Sequence, residues 1–152
     1  MTGNDAMIGI LIVTHGKLAE ELRAAALTIQ PDLSRVVAVA LEWSQTGEDA
    51  RSRIAQGLVE ADEGDGAVIL TDMFGGTPTN LTLSFLKKDR VEIVTGVNLP
   101  MVLKCAALQK SGKPVGEIAH LAGERGQRSI YVASDLLAEG EAVPAGEKRR
   151  EP

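Results

Sequence analysis

At 152 residues the chain has the length of one domain, enough to bury a sizeable core without disulfides or structural metals. Its 44% hydrophobic and 24% charged residues, with 16 Gly and 6 Pro, are a globular composition that excludes wholesale disorder and collagen-like repeats, and the single cysteine, Cys105, excludes an internal disulfide framework. The net charge of -5 and the scarcity of aromatic side chains for base stacking argue against nucleic acid as a partner.

Ile8 to Val13, IGILIV, is a continuous apolar run of the kind a strand buried on both faces requires, and Thr14-His15-Gly16 closes it. From Lys17 the period becomes helical, with Leu18, Leu22, Ala25, Ala26 and Ile29 on one face, until Pro31. Val36 to Leu41, VVAVAL, is a second buried strand. Thr46 with Asp49 resembles a capping box and opens a helix carrying Ala50, Ile54, Leu58 and Ala61, which ends near Gly64 and Gly66. Ala67 to Thr71 is a third strand, Asp72 to Pro78 a Gly/Pro loop, and Thr79 to Leu86 the start of a helix. Val91 to Val94 is a fourth strand, Gly96 to Pro100 a loop, and Met101 to about Leu108 an apolar helix.

Strands alternating with helices predict an α/β fold: a small doubly wound sheet of four parallel strands in the order 2-1-3-4, flanked by helices. A short helix around Val115 to Glu124 and a strand-like Arg128 to Val132 follow, so a C-terminal edge strand is expected, paired in its own sheet or in a partner's. The domain is expected over residues 7–134. Residues 138–152, where the dense basic group Lys148, Arg149 and Arg150 lies, read as a flexible charged tail. No apolar run reaches the roughly 18 residues of a membrane span, and MTGNDAM is no secretory leader, so a cytoplasmic protein is expected.

Ligands of open parallel sheets sit at the carboxyl ends of the strands. Three loops end there: Thr14-His15-Gly16, Asp72 to Pro78, and Gly96 to Pro100. Strands 1 and 3 are neighbours in this architecture, so His15 and Asp72 are expected to meet. An imidazole held by a carboxylate on one nitrogen is a nucleophile on the other, and the helix that follows His15 offers free N–H groups to an anion. Gly16 permits close approach; the paired Gly75 and Gly76 expose backbone amides, and Thr77 or Thr79 offers a hydroxyl to an anion or caps the next helix. Phe74 packs on a partner or plugs the loop locally. Capping the strand end is the alternative role for His15.

Neither GxGxxG after the first strand nor GxxxxGK[ST] is present, nor GxSxG, so the nucleotide fingerprints and the serine-hydrolase elbow are missing. His120 reads as a surface or interfacial residue, and two histidines with one cysteine make a multi-histidine metal site impossible; no metal and no cofactor are expected. Cys105, on an apolar helix, reads as a core thiol.

Together IGILIVTHGKLAEEL, VILTDMFGGTPTN and VEIVTGVNLPMVLK resemble the EIIA component of the mannose family of the bacterial phosphoenolpyruvate-dependent sugar phosphotransferase system, over about Ile8 to Val132. The resemblance implies a phosphotransferase with a phosphohistidine intermediate. It accepts a phosphoryl group from the phosphocarrier HPr and passes it to a histidine-type EIIB protein, here a separate one, through which it associates with a membrane permease. His15 matches the phosphorylated histidine, Asp72 the carboxylate that holds its ring, Thr77 the Ser or Thr near the phosphate, and Asn98 a supporting position. It also implies a homodimer that exchanges an antiparallel edge strand, for which Ser129 to Val132 is the matching segment. A regulatory module controlled by His15 phosphorylation, or the EIIA-like subunit of a dihydroxyacetone phosphotransferase, are the alternative readings.

Overall fold

The computed structural model describes residues 5–73 and 77–138. Strand β1, Gly9–His15, is the centre of the molecule. Its residues Ile10 to Val13 are wholly buried and it pairs on both edges, in parallel, with β2 (Val36–Leu41) and β3 (Ala67–Thr71). Strand β4, Val91–Val94, adds to β3, and the four-stranded sheet runs β2-β1-β3-β4 as expected.

The pleat sends alternate side chains to opposite faces, and both are covered. On one, Ile10, Ile12, Val68 and Leu70 meet α1 (Leu18–Ile29), α4 (Leu99–Leu108) and α5 (Val115–Arg128). On the other, Leu11, Val13 and Ile69 meet Ala50, Ile54 and Ala61 of α2 (Gly47–Ala61). Between β3 and β4 lie the short helix α3 (Thr77–Thr82) and one 3₁₀ turn, Leu83–Phe85. Buried Gln109 ties the start of the sheet together, its side-chain amide donating to the carbonyls of Ile8 and Ser34 at 2.9 and 3.0 Å.

Several details differ from the sequence reading, the starts of α3 at Thr77 and of α4 at Leu99 among them. Strand β1 continues through Thr14 and His15, because β2 carries ladder partners, Ala40 and Leu41, that far. Helix α1 buries Ala19 and Ala26 and leaves Leu18 and Ile29 exposed; small residues let its backbone approach the sheet. Helix α5 runs on to Arg128, and Ser129 to Val132 forms no strand in the single chain, leading instead into α6 (Ala133–Ala138). Strands β2 and β4 are the two edges of the sheet, β4 carrying on its outer side only the Lys87–Val91 bridge among the described residues, and Ile130, Tyr131 and Val132 lie exposed beyond α5. The tail, apart from Ala138, lies outside the described residues, as do Phe74, Gly75 and Gly76.

Candidate functional site

The adjacency of β1 and β3 brings their carboxyl ends together, and with them His15 and Asp72. A single carboxylate oxygen, Asp72 Oδ2, accepts both the backbone N–H of His15 at 3.0 Å and its ring Nδ1 at 2.7 Å. Asp72 Oδ1 accepts the N–H of Met73 at 2.9 Å. Burial of the Asp72 side chain, 14% exposed, pushes its carboxyl up; the backbone donation from His15, the ring donation and charge of His15 and the Met73 amide outweigh burial, and the carboxyl lies below its ordinary value. An ionised carboxylate only accepts, so Nδ1 carries the proton and Nε2 keeps its lone pair. The ring is 27% exposed, and Nε2 has no protein partner among the described residues.

Gly16 makes the turn from β1 into α1 with φ +54°, a conformation that costs a residue with a Cβ and glycine little. Its N–H is spent on Leu41 O at 2.8 Å, and buried Thr14 Oγ1 takes the N–H of Ala19 at 2.7 Å. These bonds fix the entry to α1. They leave the N–H groups of Lys17 and Leu18, beside His15, without a protein acceptor among the described residues.

The two threonines of the second loop separate. Thr79 is buried and bonded to Met73 O at 2.6 Å and to Thr71 Oγ1 at 2.9 Å, so it holds the loop, whereas Thr77 opens α3 exposed. Asn98 caps α4: its Oδ1 accepts the N–H of Met101 at 3.0 Å and its Nδ2 donates to Gly126 O at 3.0 Å. The side chain of Asn98 is thus committed to joining α4 to α5. Its loop reaches the same end of the sheet through Val97 N–H, which donates to Thr71 O at 2.9 Å.

His120 is exposed, its Nδ1–H donating to Gly116 O one turn back. Cys105 is fully buried, its thiol pushed up to about 12 by burial, and it is no nucleophile at neutral pH. Sequence reasoning missed Trp43, whose ring centroid lies 5.5 Å from that of His15 with 33° between the planes. The signal was available: the lone tryptophan stands two positions past the end of β2, the strand beside β1.

The model of a family described as the fructose IIA component of the phosphotransferase system matches residues 9–122, which span all four strands and reach into α5. The chain belongs to this EIIA family of the mannose type. It is 30% identical over 132 residues to the fructose-specific EIIA component of Bacillus subtilis strain 168, covering 86% of this chain and 90% of that one. With the mannose-specific EIIAB component of Escherichia coli K12 it shares 27% identity over 139 residues, 91% of this chain but 43% of that longer protein. The crystal structure of a IIA protein associated with the fucose utilization operon of Streptococcus pneumoniae superposes with a TM-score of 0.74 at 29% identity, covering 86% of this chain and 96% of that one. As an EIIA component the protein is a phosphotransferase that carries a phosphoryl group on histidine within the sugar phosphotransferase system. No described helix is long and apolar enough to cross a membrane.

Because the Asp72 carboxyl is lowered on folding, its ionisation contributes stability that is present above its unfolded value, near 3.9, and is lost as pH falls through the lower folded value. Asp72→Asn keeps an acceptor but loses the charge, so it should cost about 1–2 kcal/mol at pH 7. In urea denaturation the gap from wild type should persist at pH 5 and close below about pH 3.9. A gap already closed at pH 5 would contradict this assignment.

Proposed function

We propose that His15 is the phosphorylated residue of this EIIA protein, accepting the phosphoryl group on Nε2 from phospho-HPr and passing it to a histidine-type EIIB protein in the cytoplasm. The observation that carries the reading is the donation of Nδ1–H to Asp72 Oδ2 at 2.7 Å, which leaves Nε2 as the nucleophile at a partly open strand end. The Nε2 lone pair forms the new N–P bond while the donor's N–P bond breaks and its electron pair returns to the donor imidazole. No proton has to leave Nδ1. Asp72 stabilises the positive ring so formed, and the Lys17 and Leu18 amides, with the Thr77 hydroxyl, are the donors for the phosphoryl oxygens. Gly75 and Gly76, which the family motif sets before Thr77, belong to the same proposal by sequence alone.

The test is incubation with enzyme I, HPr and phosphoenolpyruvate, then peptide mapping at neutral pH. Wild type should carry one acid-labile, alkali-stable label on the His15 peptide and His15→Ala none; label on His120, or undiminished labelling of His15→Ala, would overturn the assignment. Asp72→Asn should fold and take label about 10–150-fold more slowly, the worth of one charge-assisted hydrogen bond in the transition state.

The homodimer belongs to the same reading. Beside the outer edge of β4 runs a groove of about 630 Å³ lined by Glu92, Val94, Met101, Gly126 and Ile130, and the adjoining Leu83, Leu86, Tyr131 and Val132 are exposed. Beyond the Lys87–Val91 bridge no strand covers this edge among the described residues, and the apolar side chains beside it support pairing with the 129–132 segment of a second copy. Sedimentation of wild type at micromolar concentration should give twice the chain mass, and Ile130→Asp should shift it toward the monomer; a stable wild-type monomer would contradict the proposal.

A further inference from the structure

Trp43 is the chain's one tryptophan, and it serves no core: 89% of it is exposed. The ring contact it makes is with His15, at a centroid distance inside the range where aromatic rings attract. The placement is built by the backbone. His15 stands in register with Leu41, and Gly16 N–H donates to Leu41 O, so the ends of β1 and β2 are locked side by side. Past Leu41 the chain closes a tight turn: Glu42 N–H donates to Gln45 Oε1 at 3.1 Å and Gln45 N–H returns to Glu42 O at 3.2 Å, before Thr46 caps α2 through Asp49 N–H. Trp43 is held within that turn.

Asp72 restrains the His15 ring at one edge only. A hydrogen bond to Nδ1 sets the tautomer and holds one edge of the ring but puts nothing against its face, and a tilt of the ring plane carries Nε2 with it. Transfer in line with the donor's N–P bond needs that plane fixed. Resting on the phosphohistidine reading above, we propose that Trp43 is a positioning residue for phosphoryl transfer. Its indole is the second restraint on the His15 ring, and it stabilises the positive charge the ring carries once Nε2 is bonded to phosphorus and Nδ1 keeps its proton. An indole face attracts such a cation.

The contact predicts a split in the kinetics of single-turnover transfer from phospho-HPr. Trp43→Ala should lower the rate at saturating donor by about 3–10-fold, the worth of one aromatic contact, with the half-saturating concentration changed much less; Trp43→Phe should recover most of the rate. Circular dichroism should be unchanged, since an exposed side chain holds no core. A rise in half-saturating concentration at an unchanged saturating rate would overturn the proposal, making Trp43 a docking residue alone. The indole gives a second readout that needs no turnover. Its emission should differ between unphosphorylated wild type and His15→Ala, and should change when the wild type is phosphorylated. Emission indifferent to both would overturn the contact. A wild type that takes no label on His15 from active phospho-HPr, while its emission still differs from that of His15→Ala, would overturn the phosphohistidine reading and the positioning role together and leave the ring contact standing.

Discussion

One carboxylate oxygen organises the active end of this molecule. By accepting both the main-chain N–H and the ring Nδ1 of His15, Asp72 Oδ2 fixes where the strand ends and which way the imidazole faces. The other oxygen is occupied by the Met73 amide. With three donors converging on one half-buried carboxylate, ionisation is favoured over protonation despite the cost of burial, and an ionised Asp72 in turn keeps the proton on Nδ1. The nitrogen that keeps its lone pair, Nε2, follows from that tautomer. The chemistry of the site therefore rests on a pairing that exists only because β1 and β3 lie side by side.

The fold serves that pairing by placing β1 in the middle of the sheet. Both its edges are paired and both its faces covered, so its last residue is delivered to a surface flanked by the ends of β2 and β3. Thr14 and Thr71, buried at those ends, spend their hydroxyls on Ala19 N–H and on the hydroxyl of Thr79, anchoring the elements that leave the sheet. Asn98 does the same for α4 and α5. Among the described residues, most polar groups at this end hold the loops in place, and the ring of His15, the first amides of α1 and the exposed Thr77 are what remains for a ligand.

Much of this was legible in the sequence, for physical reasons that also explain what was not. The strands VVAVAL, AVILT and VEIV begin and end where read: AVILT, buried throughout, is an apolar run closed by Gly66 and Asp72, and VVAVAL is closed by the charged Arg35 and Glu42. The cap of α2 by Thr46 was readable because capping is local. The buried face of α1 is as read at Leu22 and Ala26 but not at its ends, where Ala19, small and unremarkable in sequence, packs in place of Leu18, and Ile29 lies exposed. Asn98 read as a site residue because a family motif contains it; its bond to Gly126 depends on how α5 returns across α4, which spacing does not show. Trp43 escaped because its partner is set by the β1–β2 register, and Ser129 to Val132 because a strand exists only where another edge accepts it.

The most direct measurement of the central claim is the chemical position of phosphorus on the ring. In protein carrying ¹⁵N-labelled histidine and phosphorylated through HPr, the ¹⁵N–³¹P coupling and the long-range proton correlations of the imidazole distinguish the two nitrogens. The bond to Asp72 predicts phosphorus on Nε2 of His15 with a proton retained on Nδ1. Phosphorus on Nδ1 would mean that this hydrogen bond does not survive in the reacting state, and would contradict the account.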